Sequence, residues 1–442
     1  MEKKESNQMT NIETLENSDS LDSSNQIKIE ENKMNQEIEL RYDSNWAWFV
    51  TFAGVLNYIM MFGSFNAFGL FQEYYLNTMF VNESATAISW ISTLSSACTL
   101  GIGLSGGPLM SKIGIRGATI LGSFFSCLGL LLASYSTKVW QLMLTQGVIY
   151  GSGCSIVINI TLTIPSLYFR KHKNLVIAII SSGSGFGPLV IAPVVKVSLQ
   201  KYGVQWSFRI LFFMSIVTSI FAIIAYKPLV DFKPIRKVID FRLLKRPLTL
   251  YLSIGGLFAQ WASRIAPIYF PASITAIGQS RSAASNTILM YSATSGISRL
   301  GTSYMARRFG PNKTLVIAML GSCILNFGLW LPTKNITVYY VFIITAGFLG
   351  PLFFPLCPVI VARSYPIHEI PMTIGIIYFS YGVGTLIGMP LTGKILDHFG
   401  HRTSYAPVII LAGILFFIAG IVQLFQYFYC SRYMPELKNS KI

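Results

Sequence analysis

The chain has 442 residues, of which 52% are hydrophobic and 12% charged, with a mean hydropathy of +0.54. A soluble globular domain carries about 25% charged residues, so an ordinary water-soluble enzyme is excluded. Residues 1–43 hold eleven acids against five bases, which leaves the rest of the chain seven acids and 29 bases; these bases lie between long apolar runs rather than in one stripe, which excludes a nucleic-acid partner and points to membrane topology.

Residues 1–43, rich in Glu, Asn, Ser and Asp with no aromatic before Tyr42, bury too little apolar surface to offset the entropy of ordering, and a disordered cytoplasmic tail is predicted there. The tail lacks the basic start and apolar run of a cleaved leader, so the first apolar helix is expected to direct insertion. A bilayer core of ~30 Å takes about 20 apolar residues per helix. Segments near that length fall at 47–72, 87–110, 115–134, 139–164, 174–198, 207–227, 248–277, 283–305, 313–332, 337–361, 371–393 and 404–429. The expected architecture is therefore an all-α membrane protein of twelve transmembrane helices. The longest polar break runs from Pro228 to Pro247. It predicts an N-terminal half over 44–227, a cytoplasmic linker over 228–247, a C-terminal half over 248–430 and a cytoplasmic tail over 431–442.

With the N-terminus inside, nineteen Lys and Arg residues fall in inside loops and the C-terminal tail against eight on the other side, so both termini are predicted to be cytoplasmic. A plasma membrane is expected rather than a vacuolar one. An internal repeat supports the division. A shift of 197 residues lays Gly185, Gly187, Pro193 and Gly203 on Gly382, Gly384, Pro390 and Gly400, and a shift of 196 lays Lys112-Ile113-Gly114 on Arg308-Phe309-Gly310. Parallel repeats of this kind place a solute site near the midplane between the halves.

Nothing in the pattern supports an enzyme: the four histidines lie in loops, no HExxH, P-loop or GxSxG is present, and no acid stands at mid-depth in an apolar segment. The six cysteines form no CxxC pair, so neither a disulfide framework nor a metal site is expected. No cofactor is predicted. The expected partners are a small-molecule solute and the lipid bilayer, with a proton only as a secondary co-substrate and a monomer as the working unit.

Two bases do sit inside apolar segments, Arg264 in the seventh and Arg299 in the eighth. An arginine at the bilayer centre costs about 2.5–3.5 kcal/mol on insertion scales, so each should face a cavity, a partner or an anion. A substrate carboxylate held by a bidentate fork is the sharper reading, and capping of helix carbonyls or snorkelling is the blander one. The run Ser181-Ser182-Gly183-Ser184-Gly185-Phe186-Gly187-Pro188 reads first as close helix packing and second as a bend at Gly187-Pro188 during gating. Polar and aromatic candidates for a central chamber are Asn57, Asn66, Asn159, Gln260, Trp261, Tyr269, Asn286, Tyr291, Tyr378 and Tyr381. Of these, Asn66, Asn159, Tyr291, Tyr378 and Tyr381 join the two arginines as predicted substrate contacts. Sequons at Asn82 and Asn335 fall in short outside loops.

Several motifs in order resemble one family. Asp43-Ser44-Asn45-Trp46-Ala47-Trp48 opens the first helix, Phe68-Gly69-Leu70-Phe71-Gln72-Glu73-Tyr74-Tyr75 and Ser89-Trp90-Ile91 follow, and Tyr168-Phe169-Arg170-Lys171-His172-Lys173 precedes the glycine run. Trp206-Ser207-Phe208-Arg209 and Gly393-Lys394-Ile395-Leu396-Asp397 complete the set. Over roughly residues 43–430 the chain resembles the major facilitator superfamily and, within it, the fungal monocarboxylate-transporter-like proteins. The resemblance implies a secondary or facilitative carrier of a small organic anion, with Arg299 on the substrate carboxylate. It assigns gating to Gly107, Lys112, Gly114, Arg116, Gly183, Gly187, Pro188, Arg308, Gly310 and Asp397. Two departures stand out: the loop acid four residues after Gly107 is Ser111, with Arg307 in the second half, and Ser295 stands where animal members carry an Asp. Because one fungal branch moves riboflavin, a heterocycle carrier is the alternative, and a non-transporting nutrient sensor or scaffold is the alternative from another class.

Overall fold

In hydrocarbon, backbone N–H and C=O groups find no partner outside the chain, so an apolar polypeptide must close its hydrogen bonds within helices. The computed structural model describes residues 42–227, 241–400 and 404–433, and all regular structure among them is helical. The predicted disorder of residues 1–41, most of the predicted linker and the end of the C-terminal tail lie outside the described residues.

The first helices are α1 (Asn45–Asn66), α2 (Phe68–Tyr74), α3 (Ala85–Gly101), α4 (Gly106–Ala133), α5 (Val139–Leu142), α6 (Gly151–Tyr168) and α7 (Lys173–Ala225). The second set comprises α8 (Phe241–Lys245), α9 (Pro247–Ala276), α10 (Arg281–Phe309), α11 (Pro311–Leu325), α12 (Ile336–Leu349), α13 (Phe353–Ser364), α14 (Ile370–Phe399) and α15 (Ala406–Tyr433). Wide π-helical turns continue α2 over Tyr75–Met79, α5 over Met143–Tyr150 and α11 over Asn326–Trp330.

The predicted apolar segments fall on helix, and among the described residues eight helices are long and apolar enough to cross a membrane by length and composition alone. One of the eight, α7, has 53 residues, about 80 Å at 1.5 Å per residue, far more than a bilayer core. It is folded into two rods at Gly203, where φ is 76° and ψ −177°, a backbone state open in practice to glycine alone. Gly114 breaks α4 in the same way (φ 73°, ψ 169°), and Gly310, its repeat partner, turns the chain between α10 and α11 at φ 84° and ψ 146°. The repeat therefore extends to backbone conformation at Gly114 and Gly310. It does not at Gly203, because Gly400 has φ −94°.

α3 falls short of those eight at 17 residues, while α9 and α10 carry Gln260, Arg264, Asn286 and Arg299. Helices up to Ala225 pack chiefly on one another, with α7 along α1 and α4 on α6, and those from Pro247 onward do the same, with α9 against α14 and α15. Between the two groups the main seams are α7 on α10 and α3 on α14.

A knot of polar contacts fixes the start of α1. Asp43, at φ 55°, donates its N–H to Tyr168 O at 3.0 Å. Its carboxylate accepts from the backbone amides of Arg170, Lys171 and His172 at 3.3, 3.2 and 3.4 Å. Ser44 caps α1 by accepting from Ala47 N. The end of the bundle bearing this knot and the 364–369 loop is termed basal, and the opposite end apical.

Small residues set the helix spacing. A Cβ on Gly153 of α6 would lie 2.3 Å from Ser126 N and 2.6 Å from Gly122 O, whereas one on Gly69 would meet nothing within 4 Å. Gly153→Ala is expected to cost about 1–3 kcal/mol, the range for overpacking, and to lower the melting temperature of the purified protein in scanning fluorimetry. Gly69→Ala should melt like the wild type, and equal melting of both variants would refute the packing account.

Candidate functional site

α10 runs four residues past the predicted end of its segment, so Arg299 stands ten residues from Phe309, about 15 Å of helix from the basal end. Its guanidinium crosses the seam to α7: Nη1 donates to Ser184 Oγ and, at 3.4 Å, to Ser181 O, while Nε donates to Ser295 Oγ one turn back on α10 at 3.3 Å. Nη2 makes no hydrogen bond to the described residues. The cation lies 5.3 Å from the centroid of Phe354, a contact worth about 0.5–2 kcal/mol. Tyr291, Tyr378, Tyr58 and Arg264 are within electrostatic reach of it.

Arg264 occupies α9, seventeen residues from Pro247, about 25 Å of helix from its basal start and so some 10 Å further from that end than Arg299. It sits over Phe65 of α1 at 5.0 Å and makes no hydrogen bond to the described residues. Two like charges in electrostatic reach of each other repel. A carboxylate would relieve both, and among the described residues no acid is placed at this depth.

Six rings run across the gap between the two groups. Tyr58 and Phe62 of α1 are 5.2 Å apart, Phe62 meets Phe354 of α13 edge-on at 5.5 Å, and Phe354–Tyr378, Tyr378–Tyr381 and Tyr381–Phe353 follow at 4.9, 4.9 and 5.1 Å. Tyr378 donates to Phe354 O at 3.2 Å and Tyr291 to Ser263 O at 3.5 Å. The buried hydroxyl of Tyr58 has no partner among the described residues. Arg299, Arg264, Tyr291, Tyr378 and, through the ring chain, Tyr381 are thus brought together. Asn66 is more apical and exposed, with its amide on Phe62 O at 2.7 Å. Asn57 spends its amide inside the first group, on Ala53 O and Thr218 O, and Asn286 is exposed.

Asn159 belongs to a different place. Its amide donates to Gly103 O at 2.9 Å and to Pro371 O at 3.3 Å, about 10 Å of helix basal of Tyr378. Beside it, Lys173 Nζ donates to Ala362 O at 2.7 Å, at the carbonyl end of α13, where a cation is favoured by the helix dipole. The two contacts grip both ends of the 364–369 loop from the first group. Within the second group, Glu369 of that loop takes a two-pronged bond from Arg246 at 2.7 and 3.1 Å. At the basal face, side chains of the first group thus hold backbone carbonyls of the second. Lys173 is the first residue of α7, and its place at a helix start is the signal the sequence offers for this role.

The glycine run packs in two directions. Cβ atoms on Gly183 and Gly187 would lie 2.9 Å from Val55 O and 2.7 Å from Ile59 O of α1, while one on Gly185 would lie 2.3 Å from Gly296 N of α10. Gly382 meets Gly101 similarly, at 2.9 Å from its N. α7 stays helical through Pro188, and the run packs closely on both neighbouring helices. Lys112, Arg116 and Arg308 are exposed beside Gly114 and Gly310, without a hydrogen bond or ion pair to the described residues, and Gly107 lies at the start of α4. Asp397 is near the apical end of α14, in electrostatic reach of Tyr269, far from the basal closure.

Comparison with known proteins agrees with this architecture. The family model described as Major Facilitator Superfamily matches residues 50–261 and again 252–441. The MFS transporter asaE of Aspergillus flavus is 28% identical over 379 residues, covering 84% of this chain and 86% of its own. The riboflavin transporter MCH5 of Saccharomyces cerevisiae is 26% identical over 459 residues, covering 97% of this chain and 87% of its own. Among solved structures, the proton:xylose symporter XylE superposes with a TM-score of 0.71 at 15% identity, covering 89% of this chain and 97% of that one, a likeness of fold.

If the two carbonyl contacts hold the basal face shut, Lys173→Met and Asn159→Ala should each raise hydrogen–deuterium exchange across residues 362–371, and the double variant should raise it further. Exchange equal to wild type in all three would show that closure rests elsewhere.

Proposed function

This chain belongs to the major facilitator superfamily and is an integral multi-pass membrane transporter of small solutes; from that premise we propose that its solute is a small organic anion of the monocarboxylate type, bound by Arg299 and Arg264. The observation that carries this reading is the pair of guanidiniums at mid-depth in electrostatic reach of each other, one without any hydrogen bond to the described residues, and no acid of those residues beside them. An Arg fork matches a carboxylate in geometry as well as charge. Tyr291 lies in electrostatic reach of both cations, and Tyr378 and Tyr381 continue the aromatic wall.

Transport follows from alternating access. The helices before and after the linker act as two six-helix halves, in twelve crossings, that rock about the site. The basal end is cytoplasmic, where the excess of Lys and Arg lies, so the basal-closed state is the one open to the outside. The chain works as a monomer in the plasma membrane. A second reading, a riboflavin-like heterocycle, is favoured by the ring chain from Tyr58 to Phe353 and by the relative that carries that name. A sensor that keeps the fold without flux is the third, prompted by Ser111 and Arg307 in place of loop acids.

Labelled pyruvate, lactate and riboflavin offered to cells lacking their own carriers, with and without this chain, discriminate the three. Saturable uptake of an acid supports the anion reading, riboflavin uptake alone moves the site to the rings, and no flux with protein at the surface supports the sensor. Arg299→Gln should reduce acid uptake at least about tenfold, the scale of losing one charge-assisted contact, at unchanged surface expression; wild-type kinetics would remove Arg299 from the site. With no carboxylate at mid-depth, uptake should also change little when the proton gradient is collapsed by an uncoupler. A steep uncoupler-sensitive rise at acid pH, beyond the ionisation of the acid itself, would contradict this.

A further inference from the structure

We propose that Ser184 and Ser181 make Arg299 a latch between the two halves, and that the solute anion opens it by competing for the same edge of the guanidinium. The inference rests on the reading that Arg299 meets the negative group of the solute.

A guanidinium presents two forks: a side pair, Nε with Nη2, and an end pair, Nη1 with Nη2. Here the side pair faces home, since Nε is bonded to Ser295 one turn back on the same helix. The end pair points across the seam. Nη1 is bonded to Ser184 Oγ and Ser181 O on α7, and Nη2 is free of the described residues. A carboxylate that takes the end pair must displace the bonds that join α10 to α7.

The seam has little else polar at this level to hold it. Directly beside the contact, Gly185 and Gly296 meet backbone to backbone, and Phe186 lies over Gly296. Ser184 is 5% exposed and Ser181 fully buried, so water does not compete with them freely, and the bonds keep their strength in a medium of low dielectric. The exchange is nearly neutral for the arginine, which trades a hydroxyl and a carbonyl for a carboxylate, while the halves lose a tie. Binding energy is thereby converted into release of the basal-closed state, which is the differential affinity that alternating access requires.

Ser184 and Ser181 are thus positioning residues, and the latch makes an unusual demand: removing the Ser184 hydroxyl should tighten anion binding rather than weaken it. A reporter thiol at Ser155 reads the opening. Ser155 is 1% exposed, and its Oγ lies 3.7 Å from where a Cβ on Gly103 would stand, a point 3.6 Å from Gly375 Cα of α14. In a background without the six native cysteines, labelling of Ser155→Cys by a thiol reagent is followed in the full-length protein, alone and titrated with pyruvate, with lactate and with benzoate.

Ser184→Ala is expected to speed labelling without anion and to lower the half-saturating acid concentration about fivefold, the worth of one hydrogen bond. Arg299→Gln should also speed labelling, and Ser184→Ala added to it should add nothing, the signature of one shared interaction. Gly69→Ala, at an exposed position where a Cβ meets nothing within 4 Å, should leave labelling as in wild type. Unchanged labelling in Ser184→Ala, or weaker acid binding there, would overturn the latch and leave Ser184 a simple support. If Arg299→Gln took up acids normally and no acid altered labelling of the parent, the anion reading itself would fall, and the latch with it.

Discussion

A guanidinium among apolar helices must find acceptors for its five N–H groups or an anion for its charge, because hydrocarbon offers neither. Much of what is polar at mid-depth in this protein is arranged about that requirement. Arg299 meets it with serines from its own helix and from α7, and with the face of Phe354. Arg264 meets it only in part, through the face of Phe65. The difference gives the two arginines different standing: one is woven into the seam between helix groups, the other faces the gap with its donors unspent.

The closure below them obeys the same rule with backbone oxygen in place of side-chain charge. Lys173 takes the carbonyl of Ala362 at the end of α13, and Asn159 takes that of Pro371 at the start of α14. The C-terminal end of a helix leaves its last carbonyls unpaired, and a carbonyl at a helix start keeps a second lone pair, so a cationic or amide side chain can close a gate on either without an acid in the loop. That suits a chain with Ser111 and Arg307 at the positions where its relatives in sequence pattern would carry carboxylates. The basal pair of Arg246 with Glu369 braces the loop within its own group.

Much of the fold was legible in the sequence because its determinants are local or periodic. Apolar length gives each helix, and glycine at a forced positive φ gives the reversals at Gly114 and Gly310. The pairing of Gly203 with Gly400 stops at the sequence, since identity at a repeat position does not fix φ. Arg264 and Arg299 were legible as costly charges in apolar runs, and Tyr291 and Tyr378 as phenols on the adjoining helices. What escaped was whatever depends on rotation about a helix axis. Asn57 and Asn159 read alike as buried amides, yet one is spent within a group and the other spans two. Ser181 and Ser184 looked like packing residues, and only the placement of α7 against α10 gives them a cation to hold.

The backbone meetings of Gly185 with Gly296 and of Gly101 with Gly382 have a mechanical meaning. Interlocked side chains are gears: turning one helix against another forces each tooth to change rotamer or climb over its neighbour. Where glycine faces glycine the teeth are filed away, and the surfaces form a plain bearing on which helices can roll without unpacking a core. In the alternating access proposed above, friction in such a joint would be low along both seams at once, and the halves would keep a common axis as they turned. The hold would then come from a few discrete pins, and the rate of turning would be set by how fast those pins are drawn.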